Sequence, residues 1–515
     1  MKGIDQRIAE LPPGKLALLL ERLEKAAAPE APDPSPVRPR RRDDRFRPLS
    51  FAQTRLWFLD QLAPGGDYNV AAALRLRGRI DHRAFEQGVS EVLRRHEVLR
   101  AGFQAIDGRP VQILAEVRLT PARVDLSGLL PADREAEAER LARSEALRPF
   151  DLAQAPLLRV CWLEKAQGDQ ILLFTLHHIV CDGESMGILS GELTTLYQAF
   201  QRGDPSPLAE LPVQYADYAD WQREQLQGEH LERVLGYWRR QLQGAPAAID
   251  LPGVLPERPG GEHSGADELF SFSHGVSSAL KILGREELTT PFTMLVALFS
   301  VLLHVESGQA DLCIGANIAH RAVPEAEGLV GFFVNQLVLR IRLSGADSFR
   351  VLLRRVQGVI EEAFEHQDLP FERLVEELCP ERRSSRNPLF QVKVDFQEER
   401  PTTQWPGVDA SGLSAVPLPT PLRCDLLLIG TSAADEISCT LSYDRGRFRA
   451  ETVKHMALAL VRIAGIVVAQ PEIPLREVVQ RISHENEQRR SAERDRLDRI
   501  GATKLRSARR KSVRA

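Results

Sequence analysis

The chain has 515 residues, of which 43% are hydrophobic and 27% charged, and it carries a formal charge of -4. That length exceeds what one ordinary core holds, so two domains plus tails are expected, and the charge excludes general nucleic-acid binding by the whole chain. Six scattered cysteines without a CxxC pair fit reduced thiols in a cytoplasmic protein and offer no zinc spacing.

The start lacks a signal-peptide core. The most apolar helical run, Phe292 to Val305, is shorter than a relaxed membrane span, so no membrane association is expected. Residues 1–47 read as an amphipathic helix, Leu11 to Leu23, and a proline-rich linker. Ordered sequence begins near Pro48, and residues 48–245 form the first predicted lobe. Ser50 to Leu59 presents an apolar helix face, and Tyr68 to Leu76 reads as a strand. Phe85, Val89, Val92 and Leu93 mark a helix ending at Arg95-His96-Glu97-Val98-Leu99-Arg100. Leu158 to Leu163 and Ile171 to Leu176 make a hairpin across the turn-rich Glu164 to Asp169.

The hairpin runs into Leu176-His177-His178-Ile179-Val180-Cys181-Asp182-Gly183, and a helix follows with Met186, Leu189, Leu193, Leu196 and Phe200 on one stripe. Strand alternation sends His177 and His178 to opposite sides, so one faces a cavity while the other packs below. A neutral imidazole near its ordinary pKa accepts a proton at physiological pH, which suits amine or alcohol activation. Asp182 either fixes an imidazole tautomer, pairs with an arginine, or caps the next helix. Gly183 permits positive φ or close approach of another segment. A plainer reading has both histidines as satisfied core residues. Cys181 beside His178 also raises a Cys-His nucleophile, although adjacency establishes no in-line geometry.

Tyr215-Ala216-Asp217-Tyr218-Ala219-Asp220-Trp221 is an aromatic segment suited to packing or to walling a channel. Pro246 to Gly261 is the best internal boundary, and residues 246–478 form the second predicted lobe. Within it, Phe270 to Phe272 suggests a strand, Val276 to Leu283 and Pro291 to Glu306 helices, and Asp311 to Ala316 a strand. Gly328 to Arg340 is strand-like, with Asn335 as a buried polar residue that needs partners. Residues 479–515 are a charged, finally basic tail: a docking segment for an acidic partner or a disordered end.

The literal pattern His-His-x-x-x-Asp-Gly at 177–183 resembles the signature of non-ribosomal peptide synthetase condensation domains, within the chloramphenicol-acetyltransferase-like superfamily. Ser50 to Leu59, Arg95 to Arg100, Tyr215 to Trp221, Gly328 to Arg340, His366 to Glu372 and Arg386 to Gln391 are similar to six further family motifs, in family order. The resemblance implies an α/β fold of two such lobes, a V-shaped pseudodimer around a central tunnel, with donor and acceptor peptidyl carrier proteins docking at opposite mouths. It implies that a carrier-bound acyl or peptidyl thioester condenses with an amine, or less commonly a hydroxyl. His178 is then the residue beside the attacking nucleophile; His177, Asp182 and Gly183 complete the motif, and Arg95, Arg100, Asn335 and Trp221 support it. Arg95 is the predicted ion-pair partner of Asp182, with Arg100 the alternative. No cofactor is expected on this chain, since phosphopantetheine arrives on the carriers, and no metal is called for.

An adenylation or tailoring enzyme is a further expected partner, through the terminal segments. Two departures stand out. Glu184 replaces a residue more often large and apolar, and is a candidate for selecting a polar or cationic substrate. Gln336 stands where Thr is commoner. Two other activities stay open at this point: a coenzyme A-dependent acyltransferase, and a non-catalytic platform that recruits a tailoring enzyme to a carrier.

Overall fold

The computed structural model describes residues 36–39, 46–62, 64–255, 265–321, 323–379, 387–398, 408–409, 424–432 and 436–484. The terminal helix at Leu11 to Leu23, Arg386 and the basic tail beyond 484 lie outside them.

The first half opens with β1 (Phe46–Pro48), α1 (Phe51–Leu62), β2 (Asn69–Gly78) and α2 (His82–Arg95). There follow β3 (Ala101–Ile106), β4 (Arg109–Leu114), β5 (Ala122–Asp125) and α3 (Pro131–Leu147). The predicted hairpin is β6 (Leu158–Ala166) and β7 (Asp169–His177), and α4 (Gly183–Arg202) follows the motif. In this lobe β7 is central, antiparallel to β2 on one side and to β6 on the other. Buried on both faces, it reads as a continuous apolar run, and it delivers the histidine pair at its C-terminal end.

Then come α5 (Tyr215–Gln225) and α6 (Gly228–Leu242). The second half has β8 (Gly265–Ser271), α7 (His274–Glu286), α8 (Pro291–Ser307), β9 (Asp311–Ala319) and β10 (Val334–Arg342). It continues with α9 (Phe349–Glu365), α10 (Phe371–Leu378), β11 (Val392–Glu398), β12 (Val408–Asp409), β13 (Leu426–Ser432), β14 (Ile437–Asp444) and α11 (Ala450–Ala469). Its six-stranded sheet has the order β10-β9-β11-β13-β14-β8. Helix α8 starts at a Thr290 N-cap with Pro291 in its first turn and is buried almost all round, which explains its lack of a polar face. Helix α11 has the length and composition of a membrane span, yet it buries Val453, Leu460, Ile463 and Val467 in this core.

Packing crosses the Pro246 to Gly261 boundary in both directions. Helix α6 contributes Val234, Leu235 and Trp238 to the second core. Conversely, Val323, Ala326, Leu329, Val330, Phe332 and Phe333 belong to the first, and β12 pairs with Arg77 and Gly78 of β2. The lobes therefore share a seam built by exchanged segments, and the histidine motif lies on it.

Candidate active site

Three backbone hydrogen bonds and one side chain hold the motif turn. His177 N–H donates to Leu157 O at 3.1 Å, His178 N–H to Tyr68 O at 2.7 Å, and Cys181 N–H to His178 O at 3.3 Å. From α1, the fully buried Gln53 donates its amide to Ile179 O at 3.0 Å.

The two histidines have different surroundings. His177 is fully buried, and its Nδ1 accepts the Ile179 N–H at 3.1 Å, which makes Nε2 the protonated nitrogen of a neutral ring. Its role is to shape the turn. His178 is half-buried and packs edge-on against Phe332, with ring centroids 4.7 Å apart. A carbonyl only accepts, so the 2.6 Å contact between His178 Nδ1 and Cys181 O places the proton on Nδ1 and the basic lone pair on Nε2. The Cys181 thiol is buried, and burial first, then the neighbouring Asp182 charge, pushes it well above the ordinary thiol range. Thiolate chemistry at Cys181 is disfavoured accordingly.

Asp182 caps α4 and also staples the two lobes. Its Oδ1 accepts from Ser185 N–H at 2.8 Å and Ser185 Oγ at 2.7 Å, and its Oδ2 from Phe333 N–H at 3.1 Å. Ser185 extends the seam, its hydroxyl oxygen accepting the Gly331 N–H at 3.1 Å.

The arginine that pairs with Asp182 is Arg321, at 3.3 Å; the expected partner, Arg95, is a correction. Arg95 ends α2 and binds Glu192 at 2.8 Å, and Arg100 donates to Leu93 O. Glu192 stands ten residues along α4 from Asp182, about 15 Å at the rise of an α-helix, so an arginine held there does not reach the motif. Arg321 also donates to Glu184 at 2.7 Å, Ala326 O at 2.7 Å and Leu329 O at 2.8 Å, and covers the Phe333 ring at 4.1 Å. Only its place just beyond a buried strand hinted at it in the sequence.

Other expectations change too. Glu184 is committed through one oxygen to Arg321 while its side chain stays 42% exposed, so its first role is local charge pairing. The Asn335 amide donates to Gln367 O and Leu369 O, both at 2.8 Å, and its oxygen accepts from Phe371 N–H and Gln336 N–H. Three of these four bonds hold the segment entering α10, which makes it scaffold. Trp221, Tyr215 and Tyr218 are buried and pack in the first core. Tyr215 anchors the seam by donating to Phe332 O at 2.6 Å. Gly183 is not at positive φ, and a Cβ added there would meet open space at the start of α4.

The two lobes define a condensation-domain fold. Residues 44–489 match the condensation-domain family, and the chain belongs to that family. It is 40% identical over 475 residues to phosphinothricin tripeptide synthetase PhsC of Streptomyces viridochromogenes, covering 92% of this chain and 43% of that protein. It is 40% identical over 399 residues to malpinin synthetase of Mortierella alpina, covering 77% of this chain and 5% of that one. The chain thus spans less than half the length of these curated relatives. Among solved structures it is similar to the X-domain from teicoplanin biosynthesis, with 26% identity, a TM-score of 0.76, and 85% and 98% of the two chains covered. It is also similar to the SgcC5 protein of Streptomyces globisporus, with 26% identity, a TM-score of 0.67, and 83% and 100% covered.

Proposed function

We propose that this chain condenses a carrier-bound acyl or peptidyl thioester with the amine, or less commonly the hydroxyl, of an acceptor in non-ribosomal peptide biosynthesis. The observation that carries this reading is the tautomer of His178, which gives Nε2 a basic lone pair at the seam between lobes. The substrates enter a tunnel between V-arranged lobes from opposite mouths, on phosphopantetheine arms of donor and acceptor carrier proteins. The acceptor nitrogen bonds to the thioester carbonyl carbon, the C–S bond breaks, and the nitrogen's proton passes by way of His178 Nε2 to the leaving sulfur. A free α-amine has a pKa of about 7.7–8.0, so orienting it contributes alongside proton transfer. Holding both reactants in one tunnel replaces a bimolecular encounter by an oriented one.

Mass spectrometry of the two intact carriers tests the reading. Wild type is expected to move the donor group onto the acceptor-loaded carrier, and His178→Ala to lose about 10²–10⁴-fold in rate while its thermal midpoint stays within about 2 °C. Equal turnover of a coenzyme A thioester and any carrier thioester would instead favour the soluble-thioester activity. A second reading, a recruiting platform, draws on similarity to an X-domain solved in complex with OxyB. Carrier binding by both proteins without product from either would favour that platform.

A further inference from the structure

One face of the second sheet carries a polar row beside the buried residues Val338, Cys313 and Lys393. Val392, Val394, Leu426, Leu428, Leu337 and Leu339 point into the second core. By strand alternation Gln336, Asn317 and Asp395 point the other way. Gln336 lies opposite Asn317 in the β9–β10 register, and Asp395 is one step beyond the last β9–β11 pair, Ala316 with Val394. The three form one row across adjacent strands, about 10 Å from first to last. The row lies two residues, about 7 Å, along β10 from Val334, and Val334 follows the Phe333 amide that binds Asp182.

All three side chains are half-buried. Gln336 Nε2 reaches Asn317 Oδ1 at 3.4 Å, but its Oε1 is buried with no hydrogen-bond partner among the described residues. A buried acceptor left in that state is costly unless another molecule supplies the donor. The Asp395 carboxylate accepts the Phe396 N–H at 2.8 Å. Burial raises its pKa above the ordinary value, with the Phe396 amide and the Lys393 charge pulling the other way. Lys393 stands one row farther from the motif, with its Nζ 5.8 Å from the centroid of the Phe390 ring. The row therefore offers two acceptors, one neutral and one anionic.

From this we infer that Gln336 and Asp395, with Asn317 between them, form a side-chain recognition subsite. It takes a substrate whose side chain ends in a hydrogen-bond-donating nitrogen, as an ammonium does. The inference rests on the proposed condensation and deepens it by naming the substrate class. Gln336 Oε1 and the Asp395 carboxylate accept the N–H bonds, and an apolar side chain of equal length leaves both unmet.

The test measures binding to the full chain by calorimetry, using pantetheine amides that cannot react. Lysyl- and norleucyl-pantetheine amides are compared, each with a free α-amine (acceptor form) and with an acetylated one (donor form). Wild type should bind the lysyl compound about tenfold more tightly than the norleucyl one, in whichever form matches the side of the seam that the row serves. Asp395→Asn and Gln336→Met should each shrink that preference while norleucyl binding, the control for folding, persists. Norleucyl binding as tight as lysyl in both forms would overturn the inference, as would a preference that survives in both variants. Because the readout needs no product, failure of this subsite is distinguishable from failure of the condensation reading.

Discussion

His178 and Asp182 divide the work of the motif at the scale of single residues. Asp182 is almost completely buried, and its oxygens serve Arg321, Ser185 and the Phe333 amide. Removing one partner of such a pair strands the other charge away from water, at about 3–5 kcal/mol, although the intact pair contributes far less than that. Arg321→Met, which leaves the buried Asp182 charge without its cation, is therefore expected to lose about 3–5 kcal/mol in denaturant unfolding, and Arg321→Met/Asp182→Ala to recover part of it. Additive single losses would show that the two side chains are not coupled. Gly183→Ala separates protein from substrate: the methyl meets no protein atom within 4 Å, so stability should change by less than about 1 kcal/mol. A fall in turnover without a fall in stability then marks the space before α4 as substrate space.

At the scale of elements, α4 is clamped at its start by Asp182 and in its middle by Glu192. Glu192 accepts from Arg95 and contacts His96 Nε2, both at 2.8 Å, which ties α4 to the end of α2. Burial alone would push its carboxyl up, but His96 and Arg95 together outweigh that and hold it below the ordinary 4.5. A depressed carboxylate contributes stability that is present above its unfolded pKa and lost as pH falls through the folded one. Glu192→Gln should accordingly cost about 1–3 kcal/mol near neutrality, and the gap to wild type should narrow on acidification below about pH 4.5. A gap independent of pH would show that packing, not charge, holds the clamp.

The whole molecule depends on the seam where each lobe carries part of the other. Gly331 is its tightest point: a Cβ there would stand 1.9 Å from the Tyr215 ring, whose hydroxyl holds the next carbonyl. Gly331→Ala should force the ring and the 331–333 segment apart, costing about 1–3 kcal/mol. Because Phe332 packs on His178 and Phe333 binds Asp182, turnover should fall as well. Normal stability and turnover in that variant would mean that the two lobes adjust independently of the site.

The sequence by itself determined the local elements. Period-2 and continuous apolar runs marked β6, β7 and β9, three- and four-residue spacings marked α2 and α4, and an ordered set of motifs placed the histidine pair at a strand end. What it left open were the partners of buried polar groups. Arg95 was chosen for Asp182 because both belong to recognised motifs, yet Arg321, outside them, makes the pair. For Asn335 the resemblance implies a supporting role and the strand pattern says only that it needs partners, and those partners are backbone groups of Gln336 and 367–371. Only the tertiary structure decided these pairings, because the groups lie 139 residues apart for Asp182 and Arg321. Hydrophobic periodicity shows which face of an element is buried, but not which distant donor meets a given acceptor there.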